Sequence, residues 1–532
     1  MSDRGWSTYV PLGAGGDGGG AFVSSLRVSL SGGRGPGHPD SPDRPELADV
    51  GRLLRRGVRG VVGAARAGEQ VTLGSLLRDH LGPDGGELAV VEETWPAYEH
   101  VNVQAGLDAV METAGEVQVV GVVGFQHRPF GLGELLGHQP RDPYGPRPGA
   151  VARVNLPCGP DGEVRACVRC AVYLIDDGDV RSAVLMRGSE PETGLPNVSL
   201  QVASTDPSRA SELAAAVRAA TLEHNVFRGQ VLSFGAEMFG HAQALLTFHR
   251  RPDIGAGDLI LPAATIRAVE RQIVGVAEHK AALLAAGQHL KRGLLLYGPP
   301  GVGKTHTVRY LTASLIGTTV IQLSGNALHL IGEACSIARS LAPSMVVIED
   351  VDLIAEDRGM YPGQHPLLFQ LLNEMDGLAE DADVVFVLTT NRADLLEPAL
   401  AARPGRVDQA VELTLPDADG RLALVELYRG GLDLTEGIGD VVERTDGVTA
   451  SFLKELLRRA ALIAGDRLPA VSATDLATAL DELLDTRSAM TRTLLGGGAR
   501  TETSLHWPGG TEGEGGAPGP AAFGPRPGLA PR

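Results

Sequence analysis

The chain has 532 residues, too many for one typical hydrophobic core, so two or three compact domains are expected. With 65 acidic against 47 basic side chains the formal net charge is −18, which argues against tight non-specific binding to DNA or RNA phosphates and points to a soluble protein that meets other proteins. No run approaches the roughly 18 uninterrupted apolar residues that cross a bilayer, and the N-terminus lacks a charged-then-apolar signal pattern, so no membrane span and a cytoplasmic address are expected.

Residues 1–45 hold Gly13 to Gly20 and a second Gly/Pro-rich stretch at 31–39, too poor in apolar side chains to order themselves, and are expected to form a disordered arm. Residues 46–248 mix strand-like runs at 151–156, 164–174, 180–187 and 198–203 with a helix opened by Asp206-Pro207, the pattern of an α+β N-terminal domain. A Pro-rich break at 137–149 suggests two subdomains, one more helical and one richer in strands. The domain carries no catalytic constellation, and its place ahead of the next unit suits partner recruitment.

Cys167-Val168-Arg169-Cys170 has the spacing of half a metal site, but it lies in an alternating strand-like run. Strict alternation would turn the two thiols to opposite faces, so both are expected to be buried structural cysteines.

After a linker at 249–258, apolar strand-like runs at 293–297, 319–323, 345–348, 384–388 and 410–415 alternate with helical ones. Residues 259–416 therefore read as a doubly wound parallel α/β sheet. Residues 417–486 read as a small helical lid whose last helix opens at Ser472, with Asp475 at the spacing of a capping box. The Gly- and Pro-rich end, 487–532, is expected to be a disordered tail.

One stretch carries the chemistry. Gly298-Pro299-Pro300-Gly301-Val302-Gly303-Lys304-Thr305 follows a strand-like run and precedes a helical one that continues through His306 to Leu311. Glycines let backbone N–H groups turn toward phosphate oxygens, and the helix beginning near Lys304 points its positive end at them. Lys304 supplies a cation for the terminal phosphates, and Thr305 a hydroxyl for a phosphate-bound magnesium ion. Chance is a poor explanation, because only four lysines occur among the 47 basic residues and one falls here. The loop predicts binding of a nucleoside triphosphate with Mg2+.

The run 345–348 ends in Glu349-Asp350, with Asp352 just beyond, which puts carboxylates at the sheet edge where ligands bind in such folds. Neighbouring side chains on a strand point to opposite sides, so Glu349 is expected to support the metal and Asp350 to activate the attacking water. Asn391, at the end of the run through Thr389-Thr390, is placed to orient that water.

With the segment from Pro398 through Arg403, Arg406 and Asp408, the region 259–484 resembles the AAA+ ATPases, in particular the protein-remodelling and proteasomal-type branch. The resemblance implies a P-loop module with a helical lid that binds and hydrolyses ATP. It implies a polar sensor at Asn391 and arginine fingers at Arg403 and Arg406 that complete a neighbour's site in a ring, most often a homo-hexamer. It also implies nucleotide contacts at Gly298 through Thr305, at His306 and, from the lid, at Ala450, and a subunit-interface helix at 370–378. Protein partners are expected as substrates, and no nucleic acid. This chain departs from the family in the order Glu349-Asp350, in Leu330 where threading motors carry an aromatic, and in Gln409 where an arginine is usual. Those departures keep open a second reading, an ATP-dependent scaffold or switch that hydrolyses slowly and threads nothing. A zinc protease of the same family is not supported, since no His-Glu-x-x-His occurs.

Overall fold

The computed structural model describes residues 72–123, 130–137, 146–191, 194–236, 244–353, 366–379, 381–392, 407–434 and 436–485. The expected arm and tail, and the expected arginine fingers Arg403 and Arg406, lie outside these residues.

The described chain builds two seven-stranded sheets. The first contains β1 (Val90–Trp95), β2 (Glu116–Val123), β3 (Arg147–Gly149), β4 (Ala152–Pro157), β5 (Val164–Asp176), β6 (Arg181–Arg187) and β7 (Val198–Ser204). Its order is β1-β7-β6-β5-β2-β3, with β4 also on β5, and every pairing is antiparallel. Helices α1 (Leu73–Leu81) and α3 (Leu132–Gly137) bury Leu73, Leu77, Leu132 and Leu135 against Val172, Leu174 and Leu185 on one face. On the other face α2 (His100–Thr113) and α4 (Pro207–Glu223) bury Val103, Leu107, Leu213 and Val217 against Val184, Met186, Leu200 and Val202. Asp206 caps α4 as its sequence implies, accepting from the Ser208 N–H at 2.9 Å. The helices α2 and α4 approach so closely that a Cβ on Gly106 would meet the Thr221 backbone N at 2.4 Å.

Two expectations change here. A single sheet runs across the Pro-rich break, because β2, ahead of it, pairs from Glu116 to Gly121 with β5, behind it. The ladder between β4 and β5 slips at Ala152/Arg153, so strict alternation does not run through the Cys167–Cys170 segment. Both thiols are nonetheless buried, Cys167 beside Val101 and Cys170 beside Val172, and burial pushes each up to about 12. Among the described residues no cluster of three or more His, Cys, Asp and Glu side chains is placed to hold a metal ion.

The second sheet has the order β14-β10-β13-β12-β11-β8-β9. Its strands are β8 (Val231–Ala236), β9 (Ala244–His249), β10 (Arg292–Tyr297), β11 (Thr319–Leu323), β12 (Ser344–Ile348), β13 (Val384–Thr390) and β14 (Gln409–Glu412). All pairings are parallel except the edge strand β9. Strands β12 and β13 are buried along their whole length, as expected of strands with helices on both faces.

Strands β8 and β9 correct the boundary expected at 248. They belong to the second sheet because β8 pairs in parallel with β11, Val231 opposite Val320, and so covers an edge β11 would otherwise expose. The expected linker is pinned as well: Arg251 donates to the carbonyls of Gly229 at 3.1 Å, Leu315 at 3.0 Å and Thr318 at 2.7 Å, and also to that of Thr312. Around this sheet lie α5 (Ala263–Glu270), α6 (Lys304–Ser314), α7 (Ile331–Ser340) and α8 (Pro366–Asp376). One core cluster joins the two sheets, since Val101 and Cys167 pack with Phe227, Phe234, Ile331 and Cys335.

The lid follows as α9 (Ala418–Arg429), α10 (Ile438–Arg444), α11 (Ala450–Ala464) and α12 (Ala473–Leu484), with its own core around Phe452, Leu456 and Leu480. Ser472 and Asp475 form the capping box reciprocally, at 3.3 and 2.9 Å.

Candidate nucleotide site

Strand β10 lies between β13 and β14, so the chain reverses direction of winding beside it and leaves a crevice at the carboxyl ends of the strands. The loop from Gly298 to Gly303 opens into that crevice, and α6 begins at Lys304. Gly298, Gly301 and Gly303 have φ of +145°, +81° and +105°, a region that side chains disfavour. At Gly298 a Cβ would also meet the Leu413 carbonyl oxygen at 2.2 Å, so glycine is required there twice over. Pro299, Pro300 and Val302 complete the loop, with Val302 buried in the sheet core.

Lys304 is 92% buried, with 8% of its surface exposed, yet it reaches three oxygens. Its Nζ donates to the carbonyls of Gly298 at 2.8 Å and Pro299 at 2.9 Å and to Asn391 Oδ1 at 2.7 Å. Burial lowers its pKa, while the charges of Asp350 and Asp352 work the other way. Asn391 and the loop lysine, far apart in sequence, therefore share a hydrogen bond.

The carboxylates follow β12. Glu349 is half-buried, and its carboxyl is pushed above its ordinary range first by burial and then by the charge of Asp350, a hydrogen bond from Thr305 opposing both. Thr305 and Glu349 thus bring a hydroxyl and a carboxylate together, the hard oxygen pair a magnesium ion takes. Asp350 is exposed and holds a φ of +51°, the one positive φ of a non-glycine among the described residues. The strain of that conformation is held by its N–H donating to Thr389 Oγ1 at 3.2 Å and by Asn391 Nδ2 donating to its Oδ1 at 3.3 Å.

Asp352 is the residue whose place sequence reasoning left open. Its Oδ1 accepts from Thr390 Oγ1 at 2.7 Å and from the Asn391 N–H at 3.4 Å, which fixes the end of β13 against the acidic turn. No motif carries that signal; only the packing of β12 beside β13 makes it.

The remaining expected contacts divide. The lid reaches the loop through Ser451, next to Ala450, whose N–H and hydroxyl both point to the Gly301 carbonyl at 3.3 and 3.4 Å. The His306 ring lies 2.9 Å from the Asp258 carbonyl oxygen. Leu330 is half-buried against the shared core cluster at the head of α7.

Residues 294–415 match the ATPase family associated with various cellular activities, AAA. This segment is an AAA ATPase domain. The chain is 36% identical over 212 residues to the ATP-dependent zinc metalloprotease FtsH 2 of Sphaerobacter thermophilus, covering 37% of this chain and 32% of that protein. It is 33% identical over 237 residues to FtsH of Cutibacterium acnes (41% and 33%) and 32% identical over 263 residues to FtsH 3 of Symbiobacterium thermophilum (46% and 42%). The chain thus spans about a third to two fifths of the length of these relatives. The AAA domain contains the glycine loop, the acidic turn and the end of β13, so the site and the match coincide.

Proposed function

We propose that this chain binds and hydrolyses ATP and uses the cycle to remodel protein partners recruited by the domain ahead of its AAA module. The observation that carries the reading is the convergence of Lys304, Asn391 and the loop carbonyls on one buried ammonium group, beside Thr305 paired to Glu349. Fit to a triphosphate is supported by the donor set: an ammonium, a glycine loop of positive φ and the first turn of α6.

In this reading the loop from Gly298 to Gly303 and Lys304 hold the phosphates. Thr305 and Glu349 hold magnesium, which when bound supplies positive charge to phosphate oxygens. Asp350, exposed and oriented by Asn391, accepts the proton of the attacking water. Arg403 and Arg406 act in trans as fingers worth roughly 10³ to 10⁵ in rate, so the active assembly is a ring, a homo-hexamer. Ala450 and His306 border the nucleotide. The relatives are named as ATP-dependent enzymes, which supports the same chemistry here. Among the described residues no helix is long and apolar enough to cross a membrane, and we place the protein in the cytoplasm.

A second reading, a slowly cycling switch that threads nothing, is favoured by two observations: Leu330 packs into the core instead of offering an aromatic, and the acidic turn is strained at Asp350. Steady-state ATP turnover across protein concentration, beside an Asp350→Asn control, separates the two. Cooperative turnover that vanishes in the control supports the motor, whereas tight ATP binding without turnover supports the switch.

A further inference from the structure

The first sheet buries a cation that its own domain leaves incompletely partnered. Arg187, at the end of β6, is 5% exposed, yet among the described residues its guanidinium has only the Phe130 carbonyl as a hydrogen-bond acceptor and the Phe130 ring, 4.5 Å from Cζ, beneath it. The acidic residue near it, Glu190, acts on Arg187 through its charge without a hydrogen bond to it, its carboxylate being 2.7 Å from Arg169. A buried guanidinium with no carboxylate hydrogen-bonded to it is costly to retain, and an anion that enters would satisfy it.

The surroundings say what kind. Arg187 lines a cavity of about 300 Å³ with Phe130, Leu195, Pro196, Ser199 and Gln201, and with Glu92 and Thr94 at the exposed mouth. Register places these side chains on one face: Arg187 opposite Ser199 on β7, and Glu92 and Thr94 of β1 opposite Gln201 and Ser199. Gln201 accepts from the Leu132 N–H at 2.6 Å through Oε1, and its Nε2 donates to no acceptor among the described residues. A guanidinium and an amide N–H thus share a pocket with apolar walls.

We propose that this cavity is a docking site for a carboxylate carried by a peptide segment of a partner protein. One guanidinium and one amide match a single planar carboxylate, whereas Glu92 and Glu134, which line the same cavity, oppose a phosphate dianion. A polypeptide is indicated by the apolar walls and by β1, the edge strand of its sheet among the described residues, along which an extended chain can lie. The site stands apart from the nucleotide crevice and does not depend on the reading given above.

The test uses the full chain and short fluorescent peptides read by anisotropy: one with an Asp between two leucines and an amidated end, one with Asn and a free C-terminal carboxylate, and a neutral control with Asn and an amide. Binding of the first, the second or both, with none of the control, is expected, and the arms tell side-chain from terminal carboxylates. Gln201→Glu supplies the missing counter-ion while keeping the acceptor for Leu132, and should weaken binding about tenfold or more. Arg187→Gln should abolish it; if that variant does not fold, Gln201→Glu decides. The proposal is overturned if the wild type binds no carboxylate peptide at millimolar concentration or binds the control equally. It also falls if Gln201→Glu leaves affinity unchanged, or if phosphate displaces the peptide at lower concentration than acetate. ATP binding, measured in the same samples, should not respond to either substitution.

Discussion

The two sheets bury their cations on different terms. In the second sheet, Arg292 is 4% exposed and faces Asp383 at 3.1 Å, with Lys280 on the same carboxylate at 3.1 Å, a structural charge with its counter-ion built in. Lys304, at the start of helix α6 packed on that sheet, is held by two carbonyls and an amide oxygen, neutral acceptors that an anion can displace. Arg187, on the first sheet, has one carbonyl and a ring. A buried cation with a carboxylate is part of the scaffold, and one with neutral partners marks a place where a ligand's charge completes the fold.

The sharpest way to break this comparison is to exchange the lysine. Lys304→Ala should lower ATP affinity by about two orders of magnitude or more, since a charge-assisted contact in a dry site contributes several kcal/mol, roughly. Isothermal titration that finds unchanged affinity would remove Lys304 from the ligand-seeking class. Asp350→Asn should leave ATP binding intact and cut turnover about 10²- to 10⁴-fold, the usual worth of a general base, measured as phosphate release under saturating ATP. Turnover retained would shift the proton acceptor to Glu349.

How much of this was legible beforehand depends on how local the cause is. Strand β11 and helix α4 follow from β-branched alternation and an Asp-Pro start, signals contained in a few residues, and they fall where the sequence implies. The phosphate loop is equally local. Strands β8 and β9 are not, because what assigns them to the second sheet is β11, many residues later, whose edge they cover. The same holds within the site. Glu349 and Asp350 are visible as an acidic turn, but the positive φ of Asp350 and the lock that Asp352 makes on Thr390 arise only when β12 and β13 lie side by side. Arg187 is the extreme case: one arginine in a strand reads as a surface residue, and only the burial of its guanidinium over Phe130 gives it a role.

The loop glycines give a smaller, structural test. Gly298→Ala places a Cβ 2.2 Å from the Leu413 carbonyl at a φ of +145°, whereas Gly303→Ala meets nothing within 4 Å at +105°. The first should cost about 3 kcal/mol or more in denaturant unfolding, and the second about 1–2 kcal/mol from backbone strain alone. Equal losses would mean that β10 and the chain after β14 are less tightly packed than their register implies.

The smallest expected effect concerns Glu349 and carries the charge argument to an anion. Burial raises its carboxyl above the ordinary range, so ionisation is the disfavoured state in the folded chain. The sign follows: the contribution of this group to stability is fully present below its unfolded pKa and is lost as pH rises through its higher folded-state value. Glu349→Gln removes the group that titrates and should therefore melt higher than the wild type at neutral pH, the difference closing as pH falls below the carboxylate range. With Mg2+ and ATP present the order should reverse, because a cation beside Thr305 and Glu349 turns the unfavourable charge into a ligand. Melting curves at both pH values, with and without Mg2+ and ATP, read all four states. A variant that never melts above the wild type would mean that the Thr305 hydrogen bond already offsets the burial, and that Glu349 belongs with Arg292 among the charges the scaffold has neutralised for itself.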